Sequence, residues 1–178
     1  NQTKKKIAVV GAGPAGLAFA VEAAKLGHEI SIYEKENQIG GQFNLAKKIP
    51  GKEGYDSTIK YFAEQITKRD IELNLGTEVS IELLKKQKFD EVVIATGVFP
   101  REIKIDGIDH EKVKSYLEFF NSNQKLGNRI AIIGAGGIGF DTALYLLNQH
   151  IEPNNDKKIV EFLKEWNIDQ SLSTRGGL

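Results

Sequence analysis

Short apolar runs alternate along this chain with glycine turns and helical stretches. Residues 7–10 (IAVV) are continuous, apolar and mostly β-branched, the pattern of a strand buried on both faces of a parallel sheet. Residues 11–16 (GAGPAG) read as a turn. Residues 17–26 put Ala and Leu on one face and predict a helix, stopped by Gly27. Residues 29–33 predict a second strand. Together these make a βαβ unit, whose crossover is right-handed in nearly all cases.

Residues 39–50 read as an irregular loop opened by Gly40 and Gly41. A helix is predicted over 55–69, where Ile59, Phe62, Ala63 and Ile66 fall at helical spacing. Residues 71–75 alternate as a short strand and lead into GTEV. A short helical turn is predicted over 81–86, then a strongly apolar strand over 91–95 (EVVIA). Residues 98–128 are a connection with a helix over 113–120. Residues 130–133 repeat the buried-strand pattern, and 140–147 the helical one. After His150 the pattern weakens. Residues 151–158 are turn-rich, 159–166 predict one more helix, and the tail is polar.

One unit recurs. IAVVGAGPAGLAFA at the start returns as IAIIGAGGIGFDTA at 130–143. A single repeat this far apart is no solenoid; it marks two nucleotide-binding beginnings.

Composition narrows the classes. At 178 residues the chain has room for one domain and a piece of another. Its apolar stretches end well short of the roughly 20 residues of a membrane span. Residues 7–20, behind Lys4, Lys5 and Lys6, have the outline of a leader's apolar stretch, but the Gly-x-Gly-Pro-x-Gly in their middle argues against that expectation. Net charge is zero, with 24 basic and 24 acidic side chains, so no electrostatic footprint for nucleic acid is present. Lys4–Lys6 read as a solvated flank. With no cysteine, the chain can hold no disulfide, thiol redox pair or iron–sulfur cluster. With no methionine, it is expected to be processed or cut from something longer, and the ending STRGGL, without cap or closing strand, fits a cut. The expected location is cytoplasmic, away from any membrane.

The first glycine turn carries the candidate chemistry. Gly11 allows the tight turn, Gly13 lets the backbone approach a pyrophosphate, and Gly16 lets helix and strand pack closely. Free N–H groups and the positive end of the helix dipole face the phosphates. Glu34 ends the second strand, where a carboxylate accepts from ribose hydroxyls and repels a 2′-phosphate. The first site therefore favours FAD, NAD or ADP over NADP. Pro14 leans weakly toward FAD. GxGPAG, then Gly40–Gly41, then Ala95–Thr96–Gly97 is the order found in two-dinucleotide flavoproteins. The fold expected is α/β: a Rossmann-like FAD/NAD(P)-binding fold with a parallel sheet and a truncated second nucleotide-binding domain.

On the stretches NQIGGQFNLAKKIPGKE, PREIKIDGIDHEKVKSYLEF, IAIIGAGGIGFDTALYL and EWNIDQSL, the chain resembles the flavin- and nucleotide-binding portion of bacterial NADPH-dependent 2,4-dienoyl-CoA reductases, from about Lys6 to Leu178. Trimethylamine and histamine dehydrogenases look like more distant relatives. The resemblance implies a TIM barrel with FMN and a [4Fe–4S] centre elsewhere, and electron flow from NADPH through FAD to those centres, in the oxidation of unsaturated fatty acids. It implies that Gly11, Gly13, Ala15 and Gly16 surround the FAD pyrophosphate, that Glu34 binds the adenosine ribose with Lys35 beside it, and that Gln42, after Gly41, lies toward the flavin. It also implies that Ala95, Thr96 and Gly97 close over the cofactor. Lys52 is a further flavin-site candidate or an exposed loop lysine. Val79 contacts adenine through its backbone or is plain core.

Gly134, Gly136 and Gly139 would open the NADPH-binding domain, giving expected domains of 1–128 and 129–178. Asp141 reads first as a helix-dipole residue, second as a cofactor contact. His28, His110 and His150 have no suggested partner, and neither a catalytic acid–base group nor a metal site is expected. The fragment lacks the barrel and is expected to be inactive on dienoyl-CoA. Three outcomes stay open: an FAD-bearing electron-entry piece, a structural ADP-binding module, and a folded but empty piece. Sheet edges left by truncation are expected to promote self-association.

Overall fold

The computed structural model describes residues 3–101, 103–122, 126–148, 155–169, 171 and 173. Four strands form one all-parallel sheet: β1 (Lys6–Val10), β2 (Glu29–Tyr33), β3 (Glu72–Asn74) and β4 (Glu91–Ile94), in the spatial order β3-β2-β1-β4. Seven helices are described: α1 (Pro14–Lys25), α2 (Phe43–Ala46), α3 (Gly54–Lys68), α4 (Ile81–Gln87), α5 (Tyr116–Asn121), α6 (Gly137–Asn148) and α7 (Asn155–Glu165).

The apolar runs explain the middle of the sheet. In the parallel register, Ile7 lies beside Ile30 and Val9 beside Ile32. That face packs with Leu17, Ala20 and Val21 of α1 and with Ile66 of α3 into one core. Ala8 and Ser31, also paired, point to the opposite face and are buried too. Burial on both faces is what an unbroken apolar run requires. Ser31 donates its hydroxyl to Glu72 of β3, so a buried polar side chain finds its partner across the ladder.

Helix ends differ from the periodic pattern where local chemistry decides them. α1 starts at Pro14, three residues before the periodic stretch, because Pro at the first helical position has no N–H to leave unpaired. α5 starts at Tyr116 rather than 113, behind a reciprocal capping box. There Ser115 Oγ accepts from the Glu118 amide, and Glu118 accepts from the Ser115 amide at 2.7 Å. The loop at 39–50 contains a short helix, α2.

The strand expected at 130–133 does not form. Those residues join no strand among the described residues, and Ile133 is 68% exposed. An extended apolar segment becomes a strand only beside a partner, and none of the four strands pairs with residues 130–133. β4, strongly apolar in sequence, is an edge strand with Val92 and Ile94 exposed. Backbone packing divides the chain into two units between Tyr145 and Leu146, so the second glycine turn falls in the first unit. Within the second, the described backbone of α7 begins at Asn155, four residues before the periodic stretch. The turn-rich residues 151–154, His150 and the tail from 174 lie outside the described residues. No described helix is long and apolar enough to cross a membrane.

Candidate functional site

The parallel sheet puts the carboxyl ends of β1, β2 and β4 on one side, and the three glycine motifs meet there. β1 passes directly into Gly11, whose amide donates to the Tyr33 carbonyl of β2 at 2.8 Å. On the other side the Ala95 amide donates to the Val10 carbonyl at 2.8 Å. Gly11 has φ of +109°, and a Cβ there would strike the Ala95 carbonyl. At Gly16 a Cβ would strike the Gly11 carbonyl and approach Ala95 Cβ at 3.3 Å. These two glycines are demanded by the protein itself.

Gly13 is different. Its backbone is ordinary extended chain (φ −75°, ψ 179°), and a Cβ there would meet nothing within 4 Å. No contact inside the protein excludes a side chain; the open space is where a ligand backbone can come close. Past Gly13, Pro14 lacks an N–H, and the Ala15 and Gly16 amides sit at the free N-terminus of α1 without a side-chain cap or an acidic residue in the first turn. Such an end attracts phosphate.

The second motif docks on the first. The Gly40 amide donates to the Ala12 carbonyl at 2.8 Å, and a Cβ on Gly41 would lie 3.0 Å from Gly13 Cα. Gln42 follows as the N-cap of α2, exposed. The loop behind it is fixed by Phe43 stacked near Tyr55 (centroids 4.3 Å) and by a 2.9 Å Lys47–Asp56 ion pair. Hydrogen bonds from Lys60 and Lys47 hold the Asp56 carboxyl at about 2. The third motif lines the opposite side: Ala95 half-buried, Thr96 exposed, Gly97 at φ of +73°.

Glu34 is only 8% exposed, and both its oxygens hold backbone. The Ala12 amide donates to Oε2 at 2.7 Å, and the Glu36 amide to Oε1 at 3.0 Å. Its own amide donates to the Asn74 carbonyl, and its carbonyl accepts from the Thr77 amide. Ala12 is thereby held at both ends, by Glu34 and by Gly40. Its N–H is not free for a phosphate, while the carboxylate keeps lone pairs for hydroxyl donors. This clasp was not foreseen from the sequence, where nothing links position 12 to position 34 except the fold. Val79, half-buried, lies two residues past Thr77, on the loop bonded to Glu34. Beside the site, burial first and the Glu72 charge second push the Tyr33 phenol above its usual value.

Two candidate residues have partners of their own. Lys52 Nζ reaches both carboxylate oxygens of Asp141, at 2.7 and 2.6 Å. Its charge is thus matched from α6, and Asp141 ties the second helix to the loop after α2. Lys35 Nζ lies 5.0 Å from the centre of the Phe99 ring.

The second glycine turn repeats the local geometry of the first. Gly134 has φ of +113°, and a Cβ on Gly139 would strike the Gly134 carbonyl. A Cβ on Gly134 or on Gly136 would meet nothing within 4 Å. No described group of three or more His, Cys, Asp or Glu could hold a metal.

Residues 5–163 match the family described as pyridine nucleotide-disulphide oxidoreductase. The chain is 32% identical over 180 residues to an NADH oxidase from Thermoanaerobacter brockii, covering 97% of this chain and 26% of that protein. Among solved structures, a complex of 2-naphthoyl-CoA reductase with 2-naphthoyl-CoA superposes with a TM-score of 0.78 at 34% identity, covering 93% of this chain and 27% of that one. Histamine dehydrogenase from Rhizobium sp. 4-9 superposes with a TM-score of 0.54 at 27% identity, over 57% of this chain and 16% of that one. The chain thus spans about a quarter of the first two. It belongs to the pyridine nucleotide-disulphide oxidoreductase family and carries that family's FAD/NAD(P)-binding fold, although it contains no cysteine.

Proposed function

From that family membership, we propose that the chain binds FAD at the first glycine turn and NADPH through the second, as the electron-entry portion of a longer flavoprotein like 2,4-dienoyl-CoA reductase. The observation that carries this reading is the convergence of Gly11–Gly16, Gly40–Gly41 and Ala95–Gly97 on one sheet end, closed by Glu34. Gly13 gives the pyrophosphate room, and the Ala15 and Gly16 amides face it. Glu34 offers its remaining lone pairs to the ribose. Val79 borders the adenine, while Gln42, Thr96 and Gly97 line the path toward the flavin.

Bound FAD would supply the two-electron chemistry. The chain's own task is then binding and orientation, which suits a site without an acid–base pair. In this reading residues 1–128 serve FAD and 129–178 begin the NADPH-binding domain. FMN and a [4Fe–4S] centre, with the barrel that acts on the dienoyl-CoA, lie elsewhere in a cytoplasmic enzyme of unsaturated fatty acid oxidation. The relatives named NADH oxidase and 2-naphthoyl-CoA reductase, each of which this chain covers by about a quarter, support a redox role within a longer protein.

The test is reconstitution with FAD, followed by the visible spectrum and by calorimetry with FAD and ADP. Micromolar or tighter FAD, bound more strongly than ADP, is expected. A folded sample that binds neither nucleotide overturns the reading. ADP bound as tightly as FAD moves it to a structural ADP module, which Glu34 and the glycine turn would serve equally well.

A further inference from the structure

Strands β2 and β4 are not neighbours; β1 lies between them. With strands about 4.8 Å apart, their ends are separated by roughly 10 Å. Lys35 follows the end of β2, and Phe99 lies five residues past the end of β4. Their 5.0 Å contact therefore reaches across the carboxyl end of β1, where Gly11 and Ala12 begin the turn. Phe99 is 77% exposed, so the ring does not serve the core. A cation–π contact between two exposed side chains is weak and easily displaced.

We propose that Phe99 is the stacking platform for the adenine ring of the nucleotide at the first site, and that Lys35 occupies its face until the ring arrives. This rests on the nucleotide reading above and adds a specificity residue to it. Glu34, next in sequence to Lys35, holds the position of the ribose, and adenine is the group attached to that ribose. Adenine presents a flat π-face, and base–aromatic stacking is an effective anchor even where no hydrogen bond reads the base. Binding exchanges the Lys35 ammonium for adenine on the ring and releases the ammonium to solvent.

The test is ADP titration of the full chain by calorimetry, with thermal melts as the folding control. Phe99→Ala is expected to weaken ADP about tenfold without lowering the melting temperature, the effect of losing one stacked base. Phe99→Trp should bind at least as tightly as the native chain. In a Trp166→Phe background, the emission of Phe99→Trp should be quenched by saturating ADP. Native ADP affinity in Phe99→Ala, or unchanged emission from Phe99→Trp, overturns the proposal and leaves the nucleotide site standing. A native chain that binds no ADP overturns both.

Discussion

The two glycine turns share their local form and differ in everything around it. Gly11 and Gly134 have nearly the same positive φ, +109° and +113°, and in each turn the third glycine lies against the carbonyl of the first. Around the first turn, β2 and β4 flank β1, Gly40 caps Ala12, and Glu34 clasps it. Around the second, residues 130–133 have no sheet neighbour among the described residues, and Gly134 has open space where Gly11 has Ala95. The turn is thus a local property of the glycine pattern. The site is a property of the sheet that holds it.

The largest expected effect breaks this contrast most directly. Gly16→Ala should cost about 3 kcal/mol, because the turn it strikes is fixed on both sides. The melting temperature should fall by roughly 6–12 °C. Gly139→Ala meets the corresponding Gly134 carbonyl, but no strand precedes that turn among the described residues, so a loss under about 1 kcal/mol is expected. Equal losses in the two variants would show that the second turn is held as firmly as the first.

Next comes the clasp. Glu34→Ala leaves a buried amide at Ala12 and a partly buried one at Glu36 without their acceptor, at a cost of about 2 kcal/mol. A melt without any nucleotide should drop by roughly 4–8 °C. An unchanged melt would reduce Glu34 to a ligand contact alone.

Gly13→Ala separates binding from folding. Its Cβ enters open space, so the melt should hold or rise slightly, by the equivalent of about 0.5 kcal/mol. ADP affinity, followed by calorimetry, should fall at least about tenfold. The paired change Gly136→Ala should leave both quantities as they were; an equal loss of ADP affinity there would place the nucleotide at the second turn.

The smallest effect concerns the link between the regions. Lys52 and Asp141 keep 40% and 30% side-chain exposure, which weakens their attraction. A double-mutant cycle on chemical denaturation, with Lys52→Ala and Asp141→Ala, should give a coupling below about 1 kcal/mol. That coupling should shrink further at about 1 M salt. A larger, salt-resistant value would make this pair a structural fastening of α6.

Much of the site is legible along the chain because its requirements are local. A strand buried on both faces favours an unbroken apolar run, which residues 7–10 supply, while residues 29–33 carry the buried Ser31 among apolar neighbours and form the second central strand. A helix laid close on a strand needs glycine where the backbones approach, which picks out Gly11 and Gly16. The capping box at Ser115 and Glu118 is equally local, and its spacing was available to any reading that looked for caps as well as periods. Residues 130–133 show the limit: the same apolar run stays unpaired, because a strand is defined by its neighbours. Lys52 shows it again, since no local signal ties a loop lysine to an aspartate on a helix far along the chain.

What the sequence determined by itself, then, is the backbone vocabulary: two glycine turns, the helix that follows each, the two strands at 7–10 and 29–33, and a carboxylate at the end of the second strand. Tertiary structure alone decided what surrounds each turn. It brought Gly40 and Ala95 against one turn and left the other open, it committed Glu34 to the Ala12 amide, and it carried Phe99 across β1 to Lys35. The physical reason is range. Backbone conformation is set by residues a few positions apart, whereas hydrogen-bond partners and ligand-facing space depend on which distant segments the sheet order places side by side.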